Sequence, residues 1–157
     1  MSSKAKPIAE GHHSVTPYLM IKGAGGAIDY YRRAFGAEEI MRTADPDGKV
    51  RHAEIRIGDS RLMIAGEFPE EFPQFRSAES MGGSPMNIYL YVDDVDACCG
   101  RAIAAGGQEI EAVADQFYGD RRGGVRDPFG YVWWIATHKE DLSVEEIRRR
   151  ATAAGRA

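Results

Sequence analysis

YLMIKGAGGAIDYYRRAFGAEEI, residues 18–40, has a counterpart further along the chain. Tyr18 to Met63 and Tyr89 to Trp134 share one layout at a constant offset of 71 residues. Each copy opens on a short apolar run, YLMI at 18–21 and YLYV at 89–92. Each continues through an Ala-rich amphipathic segment, GAIDYYRRAFGAEEI at 26–40 and ACCGRAIAAGGQEI at 97–110. Each closes on a turn and an apolar run, GDSRLMIA at 58–65 and DPFGYVWWIA at 127–136. An internal period of this kind sets architecture before any motif does. It implies two equivalent halves, with a site expected between them.

Val15 to Ile21 reads as a strand and GAGG at 23–26 as a turn. Ala27 to Phe35 has helical spacing, with Ile28, Tyr31 and Phe35 on one face and Asp29, Arg32 and Arg33 outside. Gly36 closes it. Ile40 to Thr43 begins a second strand, and DPDG at 45–48 signals a hairpin. Val50 to Ile57 alternates, with Ala53, Ile55 and Ile57 on one face and His52, Glu54 and Arg56 on the other. Arg61 to Ala65 is the fourth strand. The second half repeats this order: Met86 to Val92, a helix capped by Asp94 or Asp96 and ended by Gly106-Gly107, Gln108 to Val113, a strand around Gly123 to Arg126, and Tyr131 to Ala136. Ser143 and Glu146 form a capping-box pattern that opens a basic C-terminal helix.

The fold class is therefore α+β, built from tandem βαβββ modules. Residues 1–14 read as a disordered lead-in, and 15–138 as a single domain of two modules, 15–67 and 86–138. A linker spans 68–85, and 139–157 form a C-terminal helix and tail. His12 and His13 fall in the lead-in, solvated rather than metal-capturing. The linker stretch EFPEEFPQFRSAESMGGSP, 67–85, holds three Phe and several acids, so it reads either as a mobile lid or as a loop that uses its Phe to pin itself.

The chain has 157 residues, enough for one sizeable core, and its 43% hydrophobic and 28% charged content is that of a soluble globular protein. A net charge of −4 argues against nucleic acid as a partner. No apolar run reaches the roughly 18 residues of a membrane span, and the N-terminus lacks a signal-peptide pattern. A cytoplasmic location is expected. Cys98 and Cys99 are adjacent, a poor geometry for a disulfide, and sit where small apolar residues pack.

Several stretches together resemble the vicinal oxygen chelate superfamily: VTPYL at 15–19, AIDYYRRAFGAEE at 27–39, HAEIRIGDSRLMIAGE at 52–67, YGDRRGGVRDPFGYVWWIATH at 118–138 and EDLSVEEIRRR at 140–150. That group includes glyoxalase I, extradiol dioxygenases, fosfomycin-resistance enzymes and bleomycin-binding proteins, and the similarity is to its PhnB-like branch. The resemblance implies curved mixed sheets forming a cup, and homodimers. It also implies a divalent metal held by His, Glu or Gln on the first and last strands of each half. Those positions fall on Thr16 and Asn87, and on Met63 and Trp134. None is a good ligand: Met63 suits soft metals, Thr16 and Asn87 are weak neutral oxygens, and Trp134 cannot coordinate. No resident metal or other cofactor is expected on this reading.

Two polar concentrations remain. His52 and Glu54, two apart on one strand face, suit acid–base work; equally, they could be satisfied by Arg51 and Arg56. Arg121, Arg122 and Arg126 could balance Asp120 and Asp127 within a hairpin, or one Arg could grip a carboxylate or phosphate bidentately. Asp127 before Pro128 suits turn chemistry. Tyr18, Tyr89, Tyr91, Phe117, Tyr118 and Trp134 could pave the cup for a flat organic ligand, or fill it. The expected pocket thus comprises Thr16, Tyr18, His52, Glu54, Asn87, Tyr89, Phe117, Tyr118, Arg122, Arg126 and Trp134. The resulting expectation is a metal-free binder of a small hydrophobic or aromatic molecule. The alternatives are a divergent lyase- or dioxygenase-like enzyme, either metal-dependent through ligands such as His52 and Glu54 or metal-free, and an assembly module.

Overall fold

The computed structural model describes residues 5–156. The chain separates into two compact units, the first ending at Gly82 and the second beginning at Gly83. Among the described residues no helix is long and apolar enough to cross a membrane.

The first unit runs β1 (Tyr18–Ile21), α1 (Ala24–Phe35), β2 (Glu38–Ala44), β3 (Val50–Ile57), β4 (Ser60–Gly66) and a short α2 (Ala78–Met81). Its sheet has the order β1-β4-β3-β2. The first and last strands pair in parallel, Tyr18 opposite Met63 and Leu19 opposite Ile64; the other pairs are antiparallel. Leu19, Ile21, Ala53, Ile55 and Ile64 are buried, as are Ala27, Ile28, Tyr31 and Ala34 of α1. Each large aliphatic side chain removed from water in this layer contributes about 1.5–3 kcal/mol.

β1 starts at Tyr18 rather than Val15, because Pro17 has no N–H for the ladder; its carbonyl still accepts from the Met63 amide at 2.9 Å. Val15 is exposed. α1 starts three residues earlier than the apolar spacing suggests. Gly23 takes the cap position at φ 77°, and the Ala27 amide donates to its carbonyl at 3.2 Å. The GAGG stretch is thus partly helical, in a first turn whose amides lack intrahelical acceptors anyway.

The linker is tied down by a carboxylate. Glu67 is buried and accepts from the Ser77 amide (2.9 Å), the Ser77 hydroxyl (3.0 Å) and the Ser80 hydroxyl (2.7 Å). Phe68 lies under the Arg51 guanidinium, 3.8 Å from the ring centroid. Phe72 and Phe75 remain about half exposed. The segment is therefore pinned by Phe68 and Glu67 together, not by Phe72 or Phe75.

The second unit runs β5 (Asn87–Tyr91), α3 (Val95–Ala104), β6 (Gln108–Asp115), β7 (Asp120–Arg126), β8 (Val132–His138) and α4 (Val144–Ala153), with sheet order β5-β8-β7-β6. β5 and β8 again pair in parallel, Tyr89 opposite Trp134 and Leu90 opposite Ile135. The offset of 71 residues therefore holds for the first and last strands of each module. It slips by one on β3 and β7. Ala53 faces Ile64, whereas Gly123 faces Ile135, so His52 corresponds to Arg122 and Glu54 to Gly124.

The Asp94 side chain caps α3 by accepting from the Ala97 amide, and Ser143 caps α4 by accepting from the Glu146 amide. No residue of α4 is buried. Cys98 and Cys99 lie buried in α3 with no disulfide between them. Burial pushes both thiols up, Cys99 to about 11, which makes them packing residues rather than nucleophiles.

Asp127 organises the turn from β7 to β8. Its Oδ1 accepts from the Phe129 and Tyr131 amides at 2.9 and 3.0 Å, and its Oδ2 accepts from the Trp133 indole at 2.9 Å. Trp133 is fully buried. Asp127→Ala strands that indole and two amides, at a cost of about 2–4 kcal/mol. The expected readout is a lower urea midpoint with an unchanged slope. An unchanged midpoint would refute this role for Asp127.

Candidate functional site

On the second sheet, residues facing α3 include Arg121, bonded to Asp96, and Thr137, which accepts from the Val95 amide. Alternation sends Tyr89, Tyr91, Arg122, Gly124, Trp134 and His138 to the opposite, open face. The pair Gly123-Gly124 serves both faces. A Cβ at Gly123 would come 3.0 Å from Cys99 Sγ and 2.8 Å from a Val113 methyl. One at Gly124 would come 2.5 Å from the Trp134 ring. Gly124 thereby lets the indole lie down on the sheet.

The Arg122 guanidinium sits 4.4 Å above the Trp134 ring and 5.9 Å from that of Tyr118. Its Nη2 donates to Glu111 at 2.8 Å. Phe117 packs edge-on against Tyr118, centroids 5.2 Å apart. Tyr89 is 40% exposed and Tyr91 61% exposed, so the aromatic face is open rather than packed shut.

Next to it lies a buried carboxylate. Tyr89 and Tyr91 hydroxyls donate to Asp120 Oδ2 at 2.7 and 3.0 Å, and His138 Nδ1 lies 2.8 Å from Oδ1. His138 Nε2 reaches Asp141 at 2.9 Å. Burial opposes charge on Asp120, but the bonds from His138, Tyr89 and Tyr91 outweigh it and hold the carboxyl below its usual range. Burial first, then the Tyr118 and Asp120 contacts, push the Tyr89 phenol well above its usual value; burial and Asp120 also raise Tyr91. His138 is raised by bonds to Asp120 and Asp141. Phenols this reluctant to ionise, and an imidazole with both nitrogens engaged, position groups rather than transfer protons. A cleft of about 430 Å³ lined by Tyr91, Val92, Asp93, Thr137 and His138 opens at this end.

The first sheet differs. Tyr18 Oη lies 3.3 Å from His52 Nδ1, rings edge to face. Glu54 pairs with Arg61 at 3.2 Å, not with Arg51 or Arg56, which engage Asp45 with Glu71, and Glu38. His12, expected in a solvated tail, lies 3.2 Å from Glu54 with its side chain only 12% exposed, and the chain at Gly11 crosses against Arg61. His52 and Glu54 share a face but are each partnered elsewhere.

The arginine-rich hairpin does not balance itself as one of its two readings required. Arg121 pairs with Asp96 and Asp115, Arg122 with Glu111, and Asp120 serves His138 and the tyrosines. Arg126 is exposed, its Nη1 3.5 Å from Gln108 Oε1. The structure thus brings Tyr89, Phe117, Tyr118, Arg122 and Trp134 together. Asn87 is exposed beside them in β5, and Thr16 falls outside β1. Sequence reasoning passed over His138, Glu111 and Arg61 as site residues; the period-two step from Trp134 to His138 was the available signal for the first.

The metal that the resemblance implies does not fit these residues. Met63 is a thioether, Thr16 is off the strand, and Trp134 lies under a guanidinium. Among the described residues no three His, Cys, Asp or Glu side chains converge to hold a metal ion. Asp120, His138 and Asp141 form a chain through the imidazole, not a convergent set.

The family model described as Glyoxalase/Bleomycin resistance protein/Dioxygenase superfamily matches residues 12–135. An uncharacterized protein of Mycobacterium bovis is 37% identical over 143 residues, spanning 90% of this chain and 94% of the relative. A solved Arabidopsis thaliana gene product is 28% identical with a TM-score of 0.65, over 79% of this chain and 98% of its own. TnmS3, an antibiotic binding protein from a Streptomyces species, is 20% identical with a TM-score of 0.59, over 82% of this chain and 100% of its own, a likeness of fold.

The Asp120 network sets a pH signature. His138 is raised above 6.5, so its contribution to stability is full below about pH 6.5 and is lost as pH rises through the folded value. Asp120 is lowered from 3.8, so its contribution is present above about pH 3.8 and is lost as pH falls through the folded value. NMR titration is expected to place His138 above 6.5 in the folded protein, and Asp120→Asn to move it down. A midpoint at or below 6.5 would contradict the network.

Proposed function

The chain belongs to the Glyoxalase/Bleomycin resistance protein/Dioxygenase superfamily, and within it we propose that it is a metal-free binding protein for small aromatic molecules, taken up on the open face of the second sheet. The observation that carries this reading is Trp134. At a position where the family resemblance calls for a metal ligand, an indole lies on Gly124 beside Tyr89, Tyr118 and Arg122. An indole contributes area and a π-face where a metal would need a lone pair. The fold shared with an antibiotic binding protein is consistent with this class of role. The PhnB-like quoted stretches, a homodimer and a cytoplasmic location belong to the same proposal.

Two measurements test it. Elemental mass spectrometry of untagged protein, soaked with manganese, nickel and zinc, is expected to find metal well below one per chain. Isothermal titration with 2-naphthamide, a flat neutral probe, is expected to show saturable binding that Trp134→Ala weakens about tenfold, equivalent to about 1.4 kcal/mol. Stoichiometric metal, or activity lost in His52→Ala, would instead favour the divergent enzyme.

A further inference from the structure

We propose that Arg122 selects the ligand's charge, so that the molecule taken up is a planar aromatic acid carrying a carboxylate or a similar oxyanion. This inference rests on the binding role of the second sheet's open face.

A guanidinium has five N–H donors in a rigid fork. Arg122 uses Nη2 for Glu111. Its Nε is buried without a protein partner, and among the described residues no acceptor meets Nη1. The side chain is only 18% exposed. A desolvated donor left unpaired destabilises the fold, a cost that a ligand oxygen removes. The indole beneath fixes the fork in one plane, leaving its edge as the available recognition surface. An acid lying in that plane would meet Nε and Nη2, which share one edge of the fork, and so take the place of Glu111, while its ring reaches toward Tyr89 and Tyr118.

The surrounding charges favour an anion. Arg126 sits on the same strand face with a single long contact to Gln108. Asp120 is already held by His138 and two phenols. Glu111 is the opposing charge, and it is the element free to yield: its side chain is 41% exposed, and β6 is irregular on both sides of it. Tyr118 is a second donor within the same cluster. Tyr89 gives its proton to Asp120 at 2.7 Å, which leaves Tyr118 as the donor in their long 3.4 Å contact and readily redirected. The first sheet has no equivalent, because His52 stands at the matching register position and its Nδ1 faces Tyr18.

The test is a matched pair of probes, 2-naphthoate and 2-naphthamide, titrated calorimetrically into wild type, Arg122→Gln and Arg122→Lys. Wild type is expected to bind the acid at least tenfold more tightly than the amide, with an affinity for the acid that falls as salt rises. Arg122→Gln is expected to abolish that preference, the two probes then binding equally, and Arg122→Lys to keep part of it. Thermal melts confirm that each variant is folded. Equal wild-type affinity for the two probes, or a preference that survives Arg122→Gln, overturns the charge selection but leaves the aromatic site standing. Binding of neither probe overturns the site itself, and the inference with it.

Discussion

The parallel pairing of the first and last strands is the constraint on which each module depends. Tyr18 is locked opposite Met63, and Tyr89 opposite Trp134. Parallel neighbours cannot be joined by a tight turn, so the chain must leave the sheet and return through a helix and two further strands. The helix covers one face and buries its aliphatic residues. The other face keeps the tyrosines, the charges and the residue at the end of the period-two step. The site is a consequence of that division before it is a matter of any particular side chain.

The two modules then diverge on the open face by a few substitutions whose effects are coupled. Glycine in place of Glu54 at the matching position makes room for an indole in place of Met63. An arginine in place of His52 covers that indole. The neighbouring Gly123 performs the same service on the helix side, where Cys99 approaches. Buried carboxylates hold the periphery: Glu67 fixes the linker, Asp127 the last turn, and Asp120 the tyrosines. Each has several donors, as a buried charge must.

Much of this was legible in the sequence because it follows from period. The repeat at Tyr18 and Tyr89, the alternation of Val50 to Ile57, and the caps at Asp94 and Ser143 are local patterns with one physical reading. What escaped was pairing across the sheet. Three arginines beside two aspartates looked self-sufficient, yet Arg122 reaches Glu111 on β6 and Asp120 faces His138 on β8. Likewise Glu54 meets Arg61 from the next strand, and His12 from a segment that carries no periodic signal. Charges on one strand choose partners by register, and register is invisible until strands are paired. The linker hid its order for the same reason, since Glu67 and Ser80 are far apart in sequence.

An aromatic ligand held by the second sheet must touch the Trp134 face of the chain. NMR shift mapping of isotope-labelled protein with saturating 2-naphthoate asks this directly. The Trp134 indole, the Arg122 Nε–H and the Gly124 amide are expected to move together, while the Trp133 indole, buried against Asp127, stays still. Shifts confined to His52, Glu54 and Tyr18, with Trp134 unmoved, would contradict it.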